Sequence, residues 1–508
     1  MTQIPVDTYV LCVAFPDLVS YNSKVAEFEG QRFDDPPNQS AAAMRELHKA
    51  GTDVLQIAID QGHEHNVEVI ASVRMGDTHH RQPDPKKHNV PQFLIDHPEY
   101  QIRRQDGIVE MALDYSYPQV RSHRLAMMRE LAENYDIDGL ELDFVRWGKF
   151  FAREEAPFKI GLMTEFVGEV RKILDDAAKK RGRERLILGV QVLRSLHTCH
   201  LAGLEPKTWV ENDWLDYLIH CDWNVTDPQL PVSEFAEFCG PSKCSHYVRM
   251  GKKVAGRWSS KPYHEGRKVT WRGIKGYGGM VLTDEEARGA AANAYGFGAD
   301  GIGLWNLCCD MGGVHKPDAH EGISREEYQQ DFIRWCNEVA DPEKVWSGKR
   351  TYHFVPIHKS ESLIVRNYAV NELRSGPLGE PVQIVMFSPE SKGFRQIYRF
   401  LMADGKDGQK LRGILRLRIL QSSLKDKFEF DINGEPVRTE FVCATEVPDD
   451  ELPCVWYEVD LDKCPPFTGD NELGMTMTTM PTARDDLADS AKMYEVVPYM
   501  EELIIEVV

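Results

Sequence analysis

Short apolar runs alternate with amphipathic helical patterns through residues 1 to about 345, and this alternation constrains the fold more than any other feature. Strands separated by helices pair in parallel, because each helical crossover returns the chain to the same end of the sheet. The pattern predicts a (β/α)8 TIM barrel, which takes ~250 residues plus insertions. The predicted strands are Thr8–Phe15, Val67–Met75, Gly139–Val145, Leu186–Val192, Asp216–Cys221, Lys253–Trp258 and Gly301–Leu307. With seven runs, the barrel is irregular or lacks one strand.

The pattern changes after about residue 345. Apolar and polar residues alternate in the runs RGILRLRIL and KFEFDI, and Asn433-Gly434 is a strong hairpin signal. Further strands are predicted at Val382–Phe387, Arg395–Leu401, Val437–Cys443, Val455–Leu461 and Leu503–Val508. We therefore expect a barrel domain over residues 1–345, and an antiparallel β-sandwich domain over residues 346–508.

The segment DIDGLELDFVR, residues 136–146, carries the strongest chemical signal. Side chains alternate between the two faces of a strand, so Glu141 and Asp143 share one face, which we assign to the barrel interior. Asp143 comes later and lies nearer the carboxyl end of the strand, where the active sites of barrels are found. Both are candidate catalytic carboxylates. The structural alternative is a buried salt bridge with Arg146 or with an arginine from another strand.

Beyond this strand, the segments FLIDHPEYQ and MALDYSYPQVRSHRLAMMRELAENYDIDGLELDFVRW resemble the family 10-like glycosyl hydrolase group of (β/α)8 proteins. The resemblance spans roughly residues 60 to 310 and implies action on a carbohydrate. The strand is also similar to the DGxDxDxE signature of family 18 chitinases, from which it departs twice. Glu141 replaces an Asp, and Val145 stands where that family has its proton-donating Glu. The general acid is therefore expected from another strand.

A candidate for that acid ends the run YLIHCDWN, residues 217–224. His220 and Asp222 share a face, and Asp222 lies at the predicted strand end beside Trp223. An Asp after strand four and another after strand six resemble the layout of retaining α-galactosidase-type barrels, which implies Asp143 as nucleophile or base and Asp222 as general acid. Glycoside hydrolysis requires such a pair. Asp222 alternatively binds a sugar hydroxyl or caps the next helix.

Four arginines lie at or just after predicted strand ends. They are Arg74, Arg146, Arg194 and Arg257. Arginine suits bidentate recognition of carboxylate or sulfate, so one interpretation is a positive mouth for an anionic sugar, a uronate or a sulfate ester. The other is that each arginine pairs with Glu141, Asp77 or another internal carboxylate.

Aromatic and amide side chains near strand ends are candidate sugar ligands. Trp305 and Trp223 offer apolar ring faces, and His220 lies on the strand that precedes Trp223. Asn306 and Gln191 are placed to bind sugar hydroxyls. We include these residues among the predicted substrate-binding residues.

Asp77, His79 and His80 follow Arg74 in a predicted loop. Their side chains are potential metal ligands, but the sequence has no HExxH or other spaced metal motif. We therefore predict that this loop hydrogen-bonds sugar, and we predict no metal and no cofactor.

The chain has 508 residues and a formal net charge of −20. This acidic balance argues against nucleic acid and anionic membranes as partners. No apolar run reaches the ~18 residues of a membrane span, and no signal-peptide core is found near residue 1. We expect a cytoplasmic protein as the sequence is given, or a secreted or periplasmic one if a signal was removed. The 11 Cys form no CxxC pair, which favours reduced thiols.

These features predict a glycoside hydrolase that cleaves an oligo- or polysaccharide, anionic or neutral, with paired carboxylates. The first alternative is a non-catalytic glycan-binding barrel, which Val145 motivates. A second is metal-dependent hydrolysis through Asp77, His79 and His80. Neither sugar identity nor linkage, anomer, stereochemical outcome or oligomeric state follows from the sequence.

Overall fold

A computed structural model of the protein describes residues 4–15, 17–76, 84–221, 226–251, 282–305, 325–354, 385–405, 411–447, 454–480 and 498–508. The chain forms two compact units. The first comprises Met1–Trp223, Ser233–Val248 and Leu378–Glu380, and the second comprises Asn224–Val232, Arg249–Pro377 and Pro381–Val508. The predicted strand at 253–258 and the end of the strand predicted at 301–307 lie outside the described residues.

A mostly parallel sheet forms the centre of the first unit. Its strands, with a separate pair β5 and β6, are β1 (Thr8–Ala14), β2 (Leu18–Val19), β3 (Glu27–Phe28), β4 (Glu68–Arg74), β5 (Gln101–Arg103), β6 (Val109–Leu113), β7 (Gly139–Asp143), β8 (Ile187–Val192), β9 (Tyr217–His220) and β10 (Ser245–Met250). Within the first unit, the strands of the main sheet follow the order β10-β9-β8-β7-β4-β1-β2-β3. All neighbours from β1 to β10 are parallel, whereas β2 is antiparallel to β1. The first five predicted strands are confirmed, and β10 is a strand that the pattern missed.

Helices connect these strands, as the sequence pattern predicts. They are α1 (Gln39–Lys49), α2 (Val54–Glu64), α3 (Gln92–Asp96), α4 (Pro118–Asn134), α5 (Ile160–Arg181), α6 (Leu196–Leu201), α7 (Pro206–Glu211) and α8 (Val232–Cys239), with 3₁₀ turns at Pro98–Tyr100 and Ala156–Lys159. Capping side chains fix where helices begin: the Asp53 carboxylate accepts a 2.9 Å hydrogen bond from the Gln56 N–H at the start of α2. At its other end, α5 is followed by Gly182 in the left-handed conformation, φ 68°.

One glycine sets the packing between the strands that carry the site. A Cβ on Gly189 of β8 would lie 1.9 Å from the Cζ of Tyr217, so only glycine leaves room for that ring. The Tyr217 ring therefore lies across β8 and its hydroxyl reaches Glu141 on β7, 3.0 Å away. All five residues of β7 are buried, as expected for a parallel strand covered on both faces.

Antiparallel sheets dominate the second unit. Its elements are α9 (Asp284–Gly296), β11 (Gly301–Leu304), α10 (Arg325–Val339), α11 (Pro342–Ser347), β12 (Arg350–Phe354), β13 (Arg395–Met402), β14 (Gly413–Leu420), β15 (Lys427–Ile432), β16 (Glu435–Pro436), β17 (Val442–Val447), β18 (Cys454–Asp460), β19 (Gly469–Thr479) and β20 (Tyr499–Val507), with 3₁₀ turns at Pro389–Ser391 and Thr439–Phe441. One sheet has the order β12-β20-β14-β18-β17 and the other β13-β19-β15-β16. Aromatic rings from the two sheets pack together. The ring centres of Phe354 and Phe400 are 5.9 Å apart, and those of Phe430 and Tyr457 are 5.0 Å apart.

Most strands predicted for this region are confirmed, and the hairpin turn has Asn433 at φ 56° and Gly434 at φ 81°. The prediction of one strand over Val437–Cys443 is wrong, because Thr439–Phe441 forms a 3₁₀ turn before β17 begins. Of the strand predicted at 382–387, residues 382–384 lie outside the described part, and Met386 forms only an isolated bridge to Tyr499. In the described part of the chain, no helix is both long and apolar enough to cross a membrane.

A buried charged cluster ties α9 to the five-stranded sheet in the second unit. His353 contacts Glu286 of α9 at 3.0 Å and Glu502 of β20 at 2.7 Å. Arg418 of β14 lies 2.9 Å from Glu501 and 3.4 Å from Glu502. Burial opposes a charge on His353, but the two glutamates outweigh it and raise the pKa of the imidazole. Since buried charges must be paired, this cluster depends on every member being present.

Candidate functional site

Asp143 is the last residue of β7 and lies at the carboxyl end of the parallel sheet. Its Oδ1 accepts hydrogen bonds from the backbone N–H groups of Val145 at 2.9 Å and Arg146 at 3.1 Å. Its Oδ2 lies 4.0 Å from Nε of Arg74, the last residue of the neighbouring strand β4. The Asp143 side chain is 3% exposed. Two backbone N–H donors and the Arg74 guanidinium therefore lie around the Asp143 carboxylate.

Glu141 lies behind Asp143 on β7 and is fully buried. Its carboxyl accepts hydrogen bonds from the Ser72 hydroxyl at 2.8 Å, the Gln191 amide at 2.5 Å and the Tyr217 hydroxyl at 3.0 Å. Burial, followed by the charge of Asp143, raises the pKa of Glu141 to about 7. We predicted Glu141 as a catalytic carboxylate. Because it is 0% exposed and both of its oxygens are engaged, the structure corrects this to a residue that supports the site from within.

The structural alternative, a buried salt bridge with an arginine, fails for Glu141 within the described residues but holds for Asp143, which pairs with Arg74 of the neighbouring strand at 4.0 Å. Among those residues, the three hydrogen-bond partners of Glu141 are uncharged. Gln191 was predicted to bind a sugar hydroxyl. The Gln191 side chain is 6% exposed and its amide donates to Glu141, so the structure assigns it to holding that carboxyl.

Three of the four predicted arginines lie in the described part, each at or after the carboxyl end of a strand. Arg74 ends β4, Arg146 follows β7 by three residues and Arg194 follows β8 by two. Since β8, β7 and β4 are adjacent, these arginines follow neighbouring strands. Each is partly exposed. Arg257, the fourth, lies outside the described residues.

Phe15 is a site neighbour that the sequence argument did not single out. It directly follows β1, the strand beside β4, and is 37% exposed. The Arg74 guanidinium lies 5.2 Å from the centre of its ring, within cation–π distance. An aromatic residue at the end of the first predicted strand was the available signal.

His220 was predicted to bind substrate, and the structure contradicts this. Tyr217 reaches Glu141 on the interior face of β9, so His220, three residues later, lies on the opposite face. There its ring stacks on Phe235 of α8 at 4.4 Å, its Nδ1 lies 2.9 Å from Nε2 of His246, and it is 0% exposed. Burial, then the neighbouring His246, lowers the pKa of His220 well below its usual value.

This buried imidazole predicts a pH-dependent stability. Below pH ~6.5 the unfolded chain binds a proton at His220 that the folded chain does not. The free energy of unfolding therefore decreases as the pH is lowered, by up to ~1.4 kcal/mol per pH unit. Urea unfolding between pH 5 and 8 should give a shallower acid slope for His220→Leu than for the wild type. The matched control is His197→Leu, since His197 is exposed on α6. Equal slopes in the wild type and His220→Leu would refute the prediction.

Trp305, predicted as a sugar platform, belongs to the second unit. Its backbone N–H donates to Met250, and the Arg249 guanidinium lies 4.1 Å from the ring centre, so one face of the indole is covered. The remaining predicted site residues lie outside the described residues; they are Asp77, His79, His80, Asp222, Trp223 and Asn306. Among the side chains that are described, no group of three or more His, Cys, Asp or Glu could hold a metal ion.

Glu141 and Asp143 lie on the same strand in different surroundings. With a pKa of about 7, Glu141 carries its proton at slightly acid pH, so it adds little negative charge behind Asp143. Asp143 keeps two backbone N–H donors and Arg74 around its charge.

The segment that contains Asp143 matches a known protein family. The family model described as "Glycosyl hydrolase-like 10" matches residues 14–155, which include β4, β7 and Asp143. This match confirms the resemblance stated above over well under half of the 508 residues. No curated protein matches the chain.

Several solved structures are similar to the chain at low identity. They include alpha-L-fucosidase isoenzyme 2 from Paenibacillus thiaminolyticus, with 11% identity, TM-score 0.37, and coverage of 68% of this chain and 45% of that one. The PgaB glycoside hydrolase domain from Bordetella bronchiseptica has 13% identity, TM-score 0.33, and coverage of 60% and 82%. A chitinase-like agglutinin from Robinia pseudoacacia has 14% identity, TM-score 0.34, and coverage of 65% and 93%. The chain thus spans less than half the length of the fucosidase.

Proposed function

We propose that the protein is a glycoside hydrolase that cleaves a glycosidic bond in an oligo- or polysaccharide. The observation that carries the proposal is Asp143, a carboxylate at the carboxyl end of a central parallel strand, within a segment that matches a glycosyl hydrolase-like family. Asp143 acts as the nucleophile or as the base that activates water. Glu141, Ser72, Gln191 and Tyr217 form the hydrogen-bonded layer that supports it.

The proposed architecture is a (β/α)8 barrel over residues 1–345 and a β-sandwich over residues 346–508. The parallel run from β1 to β10 supports the barrel, since strands joined by helices and paired in parallel are typical of it. The two antiparallel sheets with aromatic contacts between them support the sandwich. The sandwich assists in binding the substrate.

Hydrolysis by this route needs a second carboxyl group, and we propose Asp222 as the general acid. Val145 occupies the position at which family 18 chitinases carry their acid, and its side chain is buried and apolar. An acid must therefore come from a different strand, and Asp222 follows β9, two strands from β7 in the sheet order. Because β9 ends at His220, the alternation that puts His220 on the outer face does not extend to Asp222. A carboxyl separation near 5.5 Å would predict retention of anomeric configuration, and one of about 6.5 to 9.5 Å would predict inversion.

The arginines at the strand ends favour an anionic glycan. Arg74, Arg146 and Arg194 bring three positive charges to adjacent strand ends of a chain with net charge −20. A guanidinium that binds a carboxylate or sulfate contributes about 1.5 to 3 kcal/mol, or about 10-fold to 100-fold in affinity. The substrate class follows from this proposal: a uronic or sulfated oligosaccharide.

The test is a screen of neutral, uronic and sulfated oligosaccharides for reducing ends released by the wild type. Arg194→Gln should lower kcat/KM for the anionic substrate, relative to a neutral one, by about 10-fold. Arg183→Gln is the matched control, because Arg183 precedes β8 at the opposite end of the strand and pairs with Asp136 and Asp138. Cleavage of neutral sugars alone would remove the anionic assignment but keep the hydrolase.

A second candidate function is glycan binding without cleavage. Two observations favour it: Val145 in place of an acid, and the 3% exposure of Asp143. Calorimetric binding of an oligosaccharide that the wild type never cleaves, over a pH range from 4 to 9, would favour this candidate over the hydrolase.

A further inference from the structure

A pocket of about 560 Å³ opens on the five-stranded sheet of the second unit. Its floor is the face of β14, β18 and β20 that carries Arg416, Trp456, Glu458, Ile504 and Glu506, and the start of α9 forms a wall. The volume lies in the range of small-molecule sites in proteins. All residues that line the pocket belong to the second unit, whereas Asp143 belongs to the first.

Strand register places these side chains together. Arg416 of β14 lies opposite Glu458 of β18 and opposite Ile504 of β20, and Trp456 is two residues from Glu458 on the same face. The Arg416 guanidinium bonds Glu458 at 2.7 Å and also bonds Glu506. It is thus held between two carboxylates in one orientation, with its side chain 34% exposed.

Trp456 gives the pocket an aromatic surface that is fixed from behind. It packs against the buried residues Leu420, Cys454 and Tyr499, and the Arg418 guanidinium lies 5.6 Å from the ring centre. A fixed indole next to charged hydrogen-bond donors and acceptors is suited to binding a flat, hydroxyl-rich ring. The apolar C–H groups of such a ring pack on the indole. Its hydroxyls form hydrogen bonds with the guanidinium of Arg416 and with the two glutamates.

The charge of the pocket selects among possible ligands. Its lining contains three basic residues, Lys349, Arg350 and Arg416, against four acidic ones, Glu285, Glu286, Glu458 and Glu506. Arg350 is engaged with Asp404, and Glu286 with His353. The near balance favours a neutral ligand, because a strongly anionic or cationic one would leave charge uncompensated.

We propose that this pocket is an ancillary binding site for a neutral saccharide unit, with Trp456 as the stacking platform and Arg416, Glu458 and Glu506 as hydroxyl ligands. The inference rests on the proposed action on glycans and extends it: the second unit holds neutral stretches of a polysaccharide, whereas the first acts on the bond to be cleaved.

The test measures retention of the full chain on insoluble cellulose, chitin, curdlan, xylan and starch, with heparin–agarose as the anionic probe. Asp143→Asn serves as the background, so that no probe is consumed. At least one neutral polysaccharide should retain the chain, and Trp456→Ala should weaken that retention about 10-fold or more in apparent Kd. Trp346→Ala is the matched control, since Trp346 is a 40% exposed indole of the same unit with Arg350 over its ring.

Arg416→Lys is a second variant, which keeps the positive charge but loses the planar set of N–H donors of the guanidinium. It tests the saccharide site if Trp456→Ala does not fold. It should weaken retention by about 5-fold or more. Retention by no neutral polysaccharide, retention by heparin–agarose alone, or equal losses in the Trp456 and Trp346 variants would each overturn the inference. Failure of the wild type to cleave any glycan would overturn the proposed hydrolase separately, because retention is measured without cleavage.

Discussion

Asp143→Asn is expected to lower kcat for glycoside hydrolysis by about 10³-fold while the protein keeps its fold. The amide oxygen of asparagine can still accept the N–H groups of Val145 and Arg146, which bond Oδ1 in the wild type. What is lost is the negative charge beside Arg74 that attacks the anomeric carbon or removes a proton from water. Initial rates on the substrate found by the oligosaccharide screen, together with circular dichroism melting curves, measure the two effects separately.

The control variant is Asp138→Asn on the same segment. Asp138 precedes β7, accepts the Val69 N–H at 2.8 Å and pairs with Arg183 at 2.9 Å, at the end of the strand opposite Asp143. It should lower stability and leave kcat within about twofold, because a lost structural ion pair acts on folding rather than on the reaction. An Asp143→Asn enzyme that retains more than a tenth of wild-type kcat would disprove the assigned role.

The sequence pattern located the strand and the face of the key carboxylates correctly. Glu141 and Asp143 alternate with leucines, and in the structure Glu141 bonds Ser72 and Gln191 on the two neighbouring strands. This succeeded because period-two alternation fixes which residues of one strand share a face. It could not reveal that Glu141 would be sealed by uncharged partners, because those partners come from other strands.

The same alternation failed for His220, for a reason that is physical. β9 is buried along all four of its residues, so its sequence does not say which face points inward. The sequence analysis placed His220 and Asp222 on one face of this strand and included both among the site residues. The deciding contact is the Tyr217 hydroxyl on Glu141, and it depends on the absence of a side chain at Gly189, a relation between three strands.

One strand rich in turn-forming residues, β19, was missed. β19 contains the run GDNELG, whose residues ordinarily favour turns. In the sheet this composition has a function: a Cβ on Gly474 would lie 1.9 Å from the Asp431 carboxylate, so the glycine lets the Arg395–Asp431 ion pair cross the strand. The buried cluster around His353 was also invisible, because Glu286 and Glu502 are 67 and 149 positions away in sequence.

Arg418→Met is expected to reduce the free energy of unfolding of the second unit by about 3 to 5 kcal/mol. Arg418 is 8% exposed at its side chain and pairs with Glu501 and Glu502, which are 5% and 0% exposed. Burial opposes its charge, but the two glutamates outweigh burial and raise its pKa further above the ordinary value. Methionine fills a similar space without charge, so the loss measures two buried carboxylates left with one fewer cation. Urea unfolding gives the magnitude, and hydrogen exchange at the amides of β14 and β20 locates it.

Arg416→Met is the control that distinguishes the stability lost with a buried ion pair from the stability lost when any arginine of this strand is replaced. Arg416 lies two residues earlier on the same strand and face, and it also pairs with two glutamates, Glu458 and Glu506, but all three side chains are 34% to 42% exposed. Water compensates exposed carboxylates, so this variant should cost less than about 1 kcal/mol. If the two methionine variants lost equal stability, the charge of Arg418 would not be stabilising the buried glutamates, and the cluster around His353 would be held by packing alone. A loss confined to Arg418→Met means that α9 and the five-stranded sheet are joined through paired charge, because Glu502 contacts both Arg418 and His353.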